Sequence, residues 1–124
     1  TRIAREKFSV SPEREKAFDM VRQFYVLVDN HFKEKKMVQD YANMLHRSPK
    51  TLSNLFTTCG LPSPLRIIHE RIEAEAKRLL LYSQKSAKEI TEILGFEDQA
   101  TFSRFFKKMT GESVSEYRKR EKQE

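Results

Sequence analysis

Residues 45–60 read LHRSPKTLSNLFTTCG and residues 94–111 read LGFEDQATFSRFFKKMTG. At an offset of 50 residues, Ser48 falls on Asp98, Thr51 on Thr101, Ser53 on Ser103 and Phe56 on Phe106. Leu52 and Leu55 fall on Phe102 and Phe105, and Ser63 on Ser113. Upstream the offset becomes 49, with Ala42 over Thr91 and Leu45 over Leu94. A supersecondary unit is therefore present twice, and its second copy has a turn one residue longer.

Each copy begins with a short helix. In the first, Val38, Tyr41, Ala42 and Leu45 follow the i, i+3, i+4, i+7 spacing of one helical face. In the second, Ser86 and Glu89 form a capping box ahead of Ile90, Ile93 and Leu94. A tight turn follows, at His46-Arg47 in one copy and at Gly95 in the other. A second helix then starts at Ser48-Pro49 or at Asp98, a side-chain cap at N-cap and, in the first copy, Pro at the first helical position. It buries Leu52, Leu55 and Phe56, or Phe102, Phe105 and Phe106. Gly60 with Pro62 ends the first of these helices and Gly111 the second. The small residues Ala42 and Thr91 mark where two helices must approach closely. This is the outline of a helix-turn-helix. An αα-hairpin in an ordinary bundle would use similar spacing, but two units in register with matching caps are more specific than one.

Between the copies, Ser63-Pro64 opens a helix whose inward face is read as Leu65, Ile68, Ile72, Ala76 and Leu79. From Pro64 to Leu81 it would span ~27 Å. Upstream, Ser11-Pro12 opens a long amphipathic helix with Phe18, Val21, Tyr25, Val28 and Phe32, widened by Ala17, Met20, Phe24 and Leu27. It is expected to pack on the first unit through Phe18, Val21, Phe24 and Leu27; a dimer contact or a coupler to another domain remain open. Downstream, Ser113 and Glu116 cap a last helix holding Tyr117, and the charged stretch from Arg118 is expected to fray. The fold expected is all-α: two helix-turn-helix subdomains joined by a long linker helix, about seven helices in all. The organisation expected is 1–11 as a linker or the tail of an upstream domain, 12–36 as the N-terminal helix, 37–62 as the first unit, 63–82 as the linker helix, 83–120 as the second unit with its C-terminal helix, and 121–124 as a frayed tail. The chain begins at Thr1 rather than Met, so an expectation is that it is cut from something longer.

Composition narrows the function. The 124 residues carry 24 Lys and Arg against 18 Asp and Glu, a net charge of +6. A basic excess suggests a polyanionic partner, most often nucleic acid. With Cys59 the single cysteine no internal disulfide is possible, which suits a reducing, cytoplasmic location. Cys59 reads as a small core or half-buried residue. No stretch reaches the ~18 apolar residues of a membrane span. His31, His46 and His69 lie in different helices, so no zinc-ligand spacing exists. Neither a phosphate loop nor a nucleophile elbow is present, and no cofactor or enzyme activity is expected.

Subtracting the apolar face leaves the residues a duplex could meet. In the first unit these are Lys50, Thr51, Ser53, Asn54 and Thr57. In the second they are Gln99, Ala100, Thr101, Ser103, Arg104, Lys107 and Lys108. Asn reads adenine and Arg reads guanine bidentately, whereas Lys107 and Lys108 suit phosphates. Backbone amides at each helix start offer further phosphate donors. Glu70, Glu73, Glu75, Glu89 and Glu92 are read as lying on other exposed faces, so that charge is sorted by face.

With both units in view, the chain resembles the AraC/XylS family of bacterial transcription regulators. GFEDQATFSRFFKKMTGESVSEYRK (Gly95 to Lys119) is similar to that family's C-terminal signature. RIEAEAKRLLLYSQKSAKEITEILGF (Arg71 to Phe96) resembles its linker helix and the helix after it, and SPKTLSNLF (Ser48 to Phe56) its first recognition helix. The resemblance covers Val38 to Arg120. It implies two recognition helices entering successive major grooves of double-stranded DNA, with contacts at Lys50, Thr51, Ser53 and Asn54 and at Ala100, Thr101, Ser103, Arg104 and Lys107. It further implies RNA polymerase as a partner and a sensor or receiver domain upstream. Oligomeric state stays open, monomer included. Asn54 stands where the family often has Arg and Thr57 where it often has Lys, so the first unit is expected to hold phosphate more weakly or to read different bases. Gly60 comes one place early, which bears on the bend before the linker helix. Thr91 replaces the usual Ala, and Val114 the usual Pro. The competing reading is a protein-interaction module with the same fold and little DNA affinity; RNA binding ranks lower, because the outer faces carry no aromatic platform.

Overall fold

The computed structural model describes residues 12–122. The reading of residues 1–11 as a linker or domain tail, with Ser11 as an N-cap, lies outside the described residues. Within them are seven helices and no strand. They are α1 (Pro12–His31), α2 (Val38–Met44), α3 (Pro49–Thr58), α4 (Pro64–Tyr82), α5 (Ala87–Ile93), α6 (Gln99–Thr110) and α7 (Val114–Lys122). Helices α2 and α3 form the first unit, α5 to α7 the second. Helix α4 joins them with 19 residues, about 28 Å at the α-helical rise.

The starts of these helices follow the side-chain chemistry. Ser48 Oγ accepts the Thr51 amide at 3.1 Å and Ser63 Oγ the Arg66 amide at 3.2 Å. Ser86 with Glu89 and Ser113 with Glu116 close reciprocal capping boxes. The ends share one device. After α2, the His46 amide donates to Asn43 O and the Arg47 amide to Ala42 O. After α5, Gly95 donates to Glu92 O and Phe96 to Thr91 O, the same pair of bonds 49 residues on. After α3, Gly60 donates to Thr57 O and Leu61 to Phe56 O. All three are Schellman closures with a left-handed residue after the cap, at His46 (φ 57°), Gly95 (φ 78°) and Gly60 (φ 70°). The early glycine of the first unit thus makes the bend into α4 in the standard way. The extra residue of the second turn is Glu97.

The core runs through both units and α4. Phe24 of α1 meets Tyr41 at 5.5 Å and Phe56 at 5.0 Å between ring centroids. Tyr41 is fully buried, and its hydroxyl donates to Lys35 O at 2.6 Å. Burial pushes that phenol up to about 12. Ala42 and Thr91 are both buried at the close helix approaches. Thr91 disposes of its hydroxyl by donating to Ala87 O at 2.7 Å.

Several inward assignments need correction. In α1 the buried line is Ala17, Val21, Phe24 and Val28, continued by Phe32; Tyr25 is 41% exposed and Phe18 only half-buried. The apolar sector of α1 is wide, and its seat on Tyr41 and Phe56 selects the edge that carries Phe24. In α4, Leu65 is 44% exposed, while Pro64 and Ile67 of the same turn, and Leu80 further on, are buried instead. Glu75, read as exposed, is 8% exposed. Its carboxylate is held by Arg78 at 2.8 and 2.7 Å, with Arg71 at 3.9 Å, and the Arg78 bonds lower its pKa. Leu55, Ile93 and Phe105 are half-buried. Helix α7 continues to Lys122, so Arg118 to Lys122, expected to fray, are helical; residues 123–124 of the expected tail lie outside the described residues. Arg118 donates to Leu80 O at 3.0 Å and Ser83 O at 3.3 Å, closing the end of α4. Arg120 is bidentate to Glu112 at 2.9 and 2.8 Å.

Candidate nucleic-acid interface

Helices α3 and α6 are the second helices of the two units. Each buries an aromatic pair-mate on its inner side, Phe56 in α3 and Phe102 with Phe106 in α6. That inner packing turns the remaining residues outward. Lys50, Thr51, Ser53, Asn54 and Thr57 are all exposed on α3. Gln99, Ala100, Arg104, Lys107 and Lys108 are exposed on α6, with Thr101 and Ser103 half-buried. The twelve residues thus form two separate sets, one on each helix.

Part of the remaining surface pairs acids with bases: Arg66 with Glu70 at 3.1 Å, Lys77 with Glu73 at 2.8 Å, Arg71 with Asp29 at 2.7 Å, and Arg120 with Glu112 and Glu121 at 2.8 Å. Other surface lysines, among them Lys33, Lys35, Lys85, Lys88 and Lys119, are in none of these pairs. Among the described residues, Lys50, Arg104, Lys107 and Lys108 take part in no ion pair. Unneutralised cations on an outer helix face are what a polyphosphate partner requires. Asp98, the cap of α6, faces its own helix. Its carboxylate accepts the Thr101 amide at 2.7 Å, and that bond, with the Thr101 hydroxyl and Arg104 adding to it, lowers its pKa.

Not every donor on these faces is available. Thr57 donates its hydroxyl to Ser53 O at 3.0 Å, and Thr51 shares a hydrogen bond with Ser48 at 2.9 Å. Arg104 lies 3.4 Å from the Thr101 hydroxyl, which it can leave at little cost. The caps occupy the Thr51 and Thr101 amides, and Pro49 has none. The amides left for an anion are therefore those of Lys50 in α3 and of Gln99 and Ala100 in α6. Sequence reasoning passed over Arg47, which is exposed immediately before the α3 cap; its position in the turn, rather than in a helix, hid it. It also passed over His69, which lines a polar groove with Ser63, Arg66, Glu70, Glu73, Lys108 and Met109. The His69 ring meets Phe105 at 5.2 Å. Burial, then the Lys108 charge, lower its pKa.

Among the described residues no helix is long and apolar enough to cross a membrane, and no group of His, Cys, Asp and Glu could hold a metal ion. Cys59 is half-buried and free.

Two helix-turn-helix units carried on one linker helix, each with a donor-rich outer face, define a double helix-turn-helix DNA-binding module. A family model described as a helix-turn-helix domain matches residues 41–120. The chain belongs to this AraC/XylS-type family of DNA-binding transcription regulators. It is 36% identical over 92 residues to the arabinose operon regulatory protein of Salmonella typhimurium, covering 74% of this chain and 31% of that protein. It is 30% identical over 118 residues to an uncharacterised HTH-type transcriptional regulator, YisR, of Bacillus subtilis, covering 94% of this chain and 40% of that one. The C-terminal domain of AraT, a response regulator from Geobacillus stearothermophilus, superposes with a TM-score of 0.72 at 29% identity, covering 81% of this chain and 84% of that domain. The chain thus spans about a third of the length of the curated relatives it matches.

Proposed function

We propose that this module reads double-stranded DNA sequence-specifically, with α3 and α6 in successive major grooves on one face of the duplex. The observation that carries this reading is the pairing of two like-built units across a helix of about 28 Å, of the order of the ~34 Å groove repeat. In the second unit Arg104 reads a base edge, Lys107 and Lys108 hold phosphates, and Gln99, Ala100, Thr101 and Ser103 complete the contact. In the first unit Asn54 and Ser53 read bases, while Lys50, Thr51 and Arg47 meet the backbone; Thr57 supports the helix through its bond to Ser53. The second unit carries more charge and more of the specificity. In the whole regulator the module works beside a sensor or receiver domain upstream, acts on RNA polymerase in the cytoplasm, and has no enzymatic activity of its own.

The test is selection from a pool of randomised duplexes with this chain. Two short enriched blocks about one helical turn apart in one orientation are the expected result. A single block means that one unit alone reads bases. No enrichment, with binding insensitive to salt, overturns the reading in favour of a protein-interaction module.

A further inference from the structure

The linker helix alone does not hold the two units in one relation. A second connection runs from the end of α1 to the turn of the second unit, and Lys36 is its centre. The Lys36 ammonium donates to Leu94 O at 2.5 Å, to Lys33 O at 2.7 Å and to Phe32 O at 3.3 Å. An ammonium has three donors, and all three are used. Phe32 and Lys33 follow directly on the C-terminus of α1, and Leu94 is the C-cap of α5. Two helix C-termini, each rich in unsatisfied carbonyls and partial negative charge, thus converge on one cation. The same Nζ lies 5.1 Å from the Phe96 ring centroid. Phe96 in turn packs on Phe102 and Phe105 of α6, at 5.4 and 5.3 Å.

The contact is tight. A Cβ on Gly95 would stand 1.9 Å from Lys33 O, so the backbone of the second turn lies directly on the backbone beyond α1. On the far side, α1 is built into the first unit through Phe24, and Arg71 of α4 stacks over Phe32 at 4.3 Å. In the first unit the matching turn position is His46, which carries a side chain where the second unit has none. The brace belongs to the second unit only.

We propose that Lys36 is a positioning residue that fixes the relation between the two recognition helices, and so sets the half-site spacing the module accepts. This rests on the two-groove reading above. Lys36 touches no DNA; it acts through Leu94 and Phe96 on the start of α6.

The experiment compares the chain with its Lys36→Met variant on three duplexes: two half-sites at the selected spacing, the same half-sites two base pairs further apart, and the second half-site alone. The unaltered chain should lose about tenfold in affinity, about 1.4 kcal/mol, on the respaced duplex. In the variant that penalty should shrink to less than about threefold, with affinity for the single half-site within about twofold. Equal spacing penalties in both proteins, or a parallel loss on the single half-site, would overturn the proposal, the latter by assigning Lys36 to the folding of the second unit. A second readout needs no DNA. Spin labels at Gln39→Cys and Lys88→Cys, exposed on α2 and α5, in a Cys59→Ser background, should give one narrow distance that broadens in Lys36→Met. An unchanged width refutes the brace even if DNA binding holds, and a broadened width without DNA binding refutes only the two-groove reading. Should Lys36→Met fail to fold by circular dichroism, Lys36→Gln takes its place with the same expectations.

Discussion

Replacing Gly95 by alanine probes the junction between the N-terminal helix and the second unit. Two costs add. The first is conformational: at φ 78° an L-residue pays roughly 1–2 kcal/mol over glycine. The second is steric. The new methyl would meet Lys33 O at 1.9 Å and Lys33 C and Lys36 Nζ at 3.0 Å. The first two are backbone atoms, which cannot swing aside as a side-chain end can. The junction must open, with an overpacking cost of about 1–3 kcal/mol. The expected destabilisation is therefore about 2–5 kcal/mol. Gly60 supplies the control, with φ 70° and nothing within 4 Å of its Cβ position. Gly60→Ala should cost only the conformational part, roughly 1–2 kcal/mol. Urea unfolding followed by circular dichroism, with slopes compared as well as midpoints, measures both. If the two variants lost the same stability, the steric argument would fail, and with it the close seating of the second turn on the end of α1.

Substitutions at five other positions bear on the interface and its supports. Arg104→Ala should weaken specific binding by ~1–3 kcal/mol and relax preference at one base pair, whereas Lys107→Ala should weaken binding to all sequences and flatten the salt slope; a salt titration on specific and random duplexes separates the two. His46→Gly relieves the left-handed strain of an exposed side chain and should stabilise by up to about 1 kcal/mol in the same urea assay. Asp98→Ala removes the cap of α6 and should cost about 1 kcal/mol, while Asp98→Asn keeps most of the cap. Because the Asp98 pKa is lowered in the fold, its stabilising share is present above the unfolded carboxylate value and lost as pH falls through the folded one; Asn at this position should flatten the stability profile below about pH 4. Glu75→Gln should cost about 1–2 kcal/mol by weakening charged hydrogen bonds to Arg78, and it should remove a second acid-labile contribution of the same sign.

The repeat, the caps and the order of helices were legible because they depend on local chemistry. Ser48, Ser63, Ser86, Asp98 and Ser113 act within three residues of themselves, and the inner aromatic positions of α3 and α6 follow one helical period. The outer faces could be found by subtraction for the same reason. What sequence could not supply was the choice among neighbours on a wide apolar stripe. Phe24 or Tyr25 could have faced inward; the location of Tyr41 and Phe56 selected Phe24. Leu65 looked like core by period, yet the first turn of α4 buries Pro64 and Ile67 in its place. Glu75 looked solvated until the orientation of Arg78 was known. The junction at Lys36 is the clearest case. It lies in the charged stretch Lys33 to Lys36, which has no apolar period to mark it as packed, and its partner Leu94 O is 58 residues away.

The closure of α4 by Arg118 has a consequence for biosynthesis. The carbonyl of Ser83 waits for a guanidinium encoded 35 residues later. At a translation speed of ~5–20 residues per second, that is a delay of about 2–7 s. The first unit, with α1 and most of α4, is synthesised before the residue that closes α4. A chain cut short before Arg118 would keep every residue of the first unit and leave the Leu80 and Ser83 carbonyls without that guanidinium, an unclosed helix end.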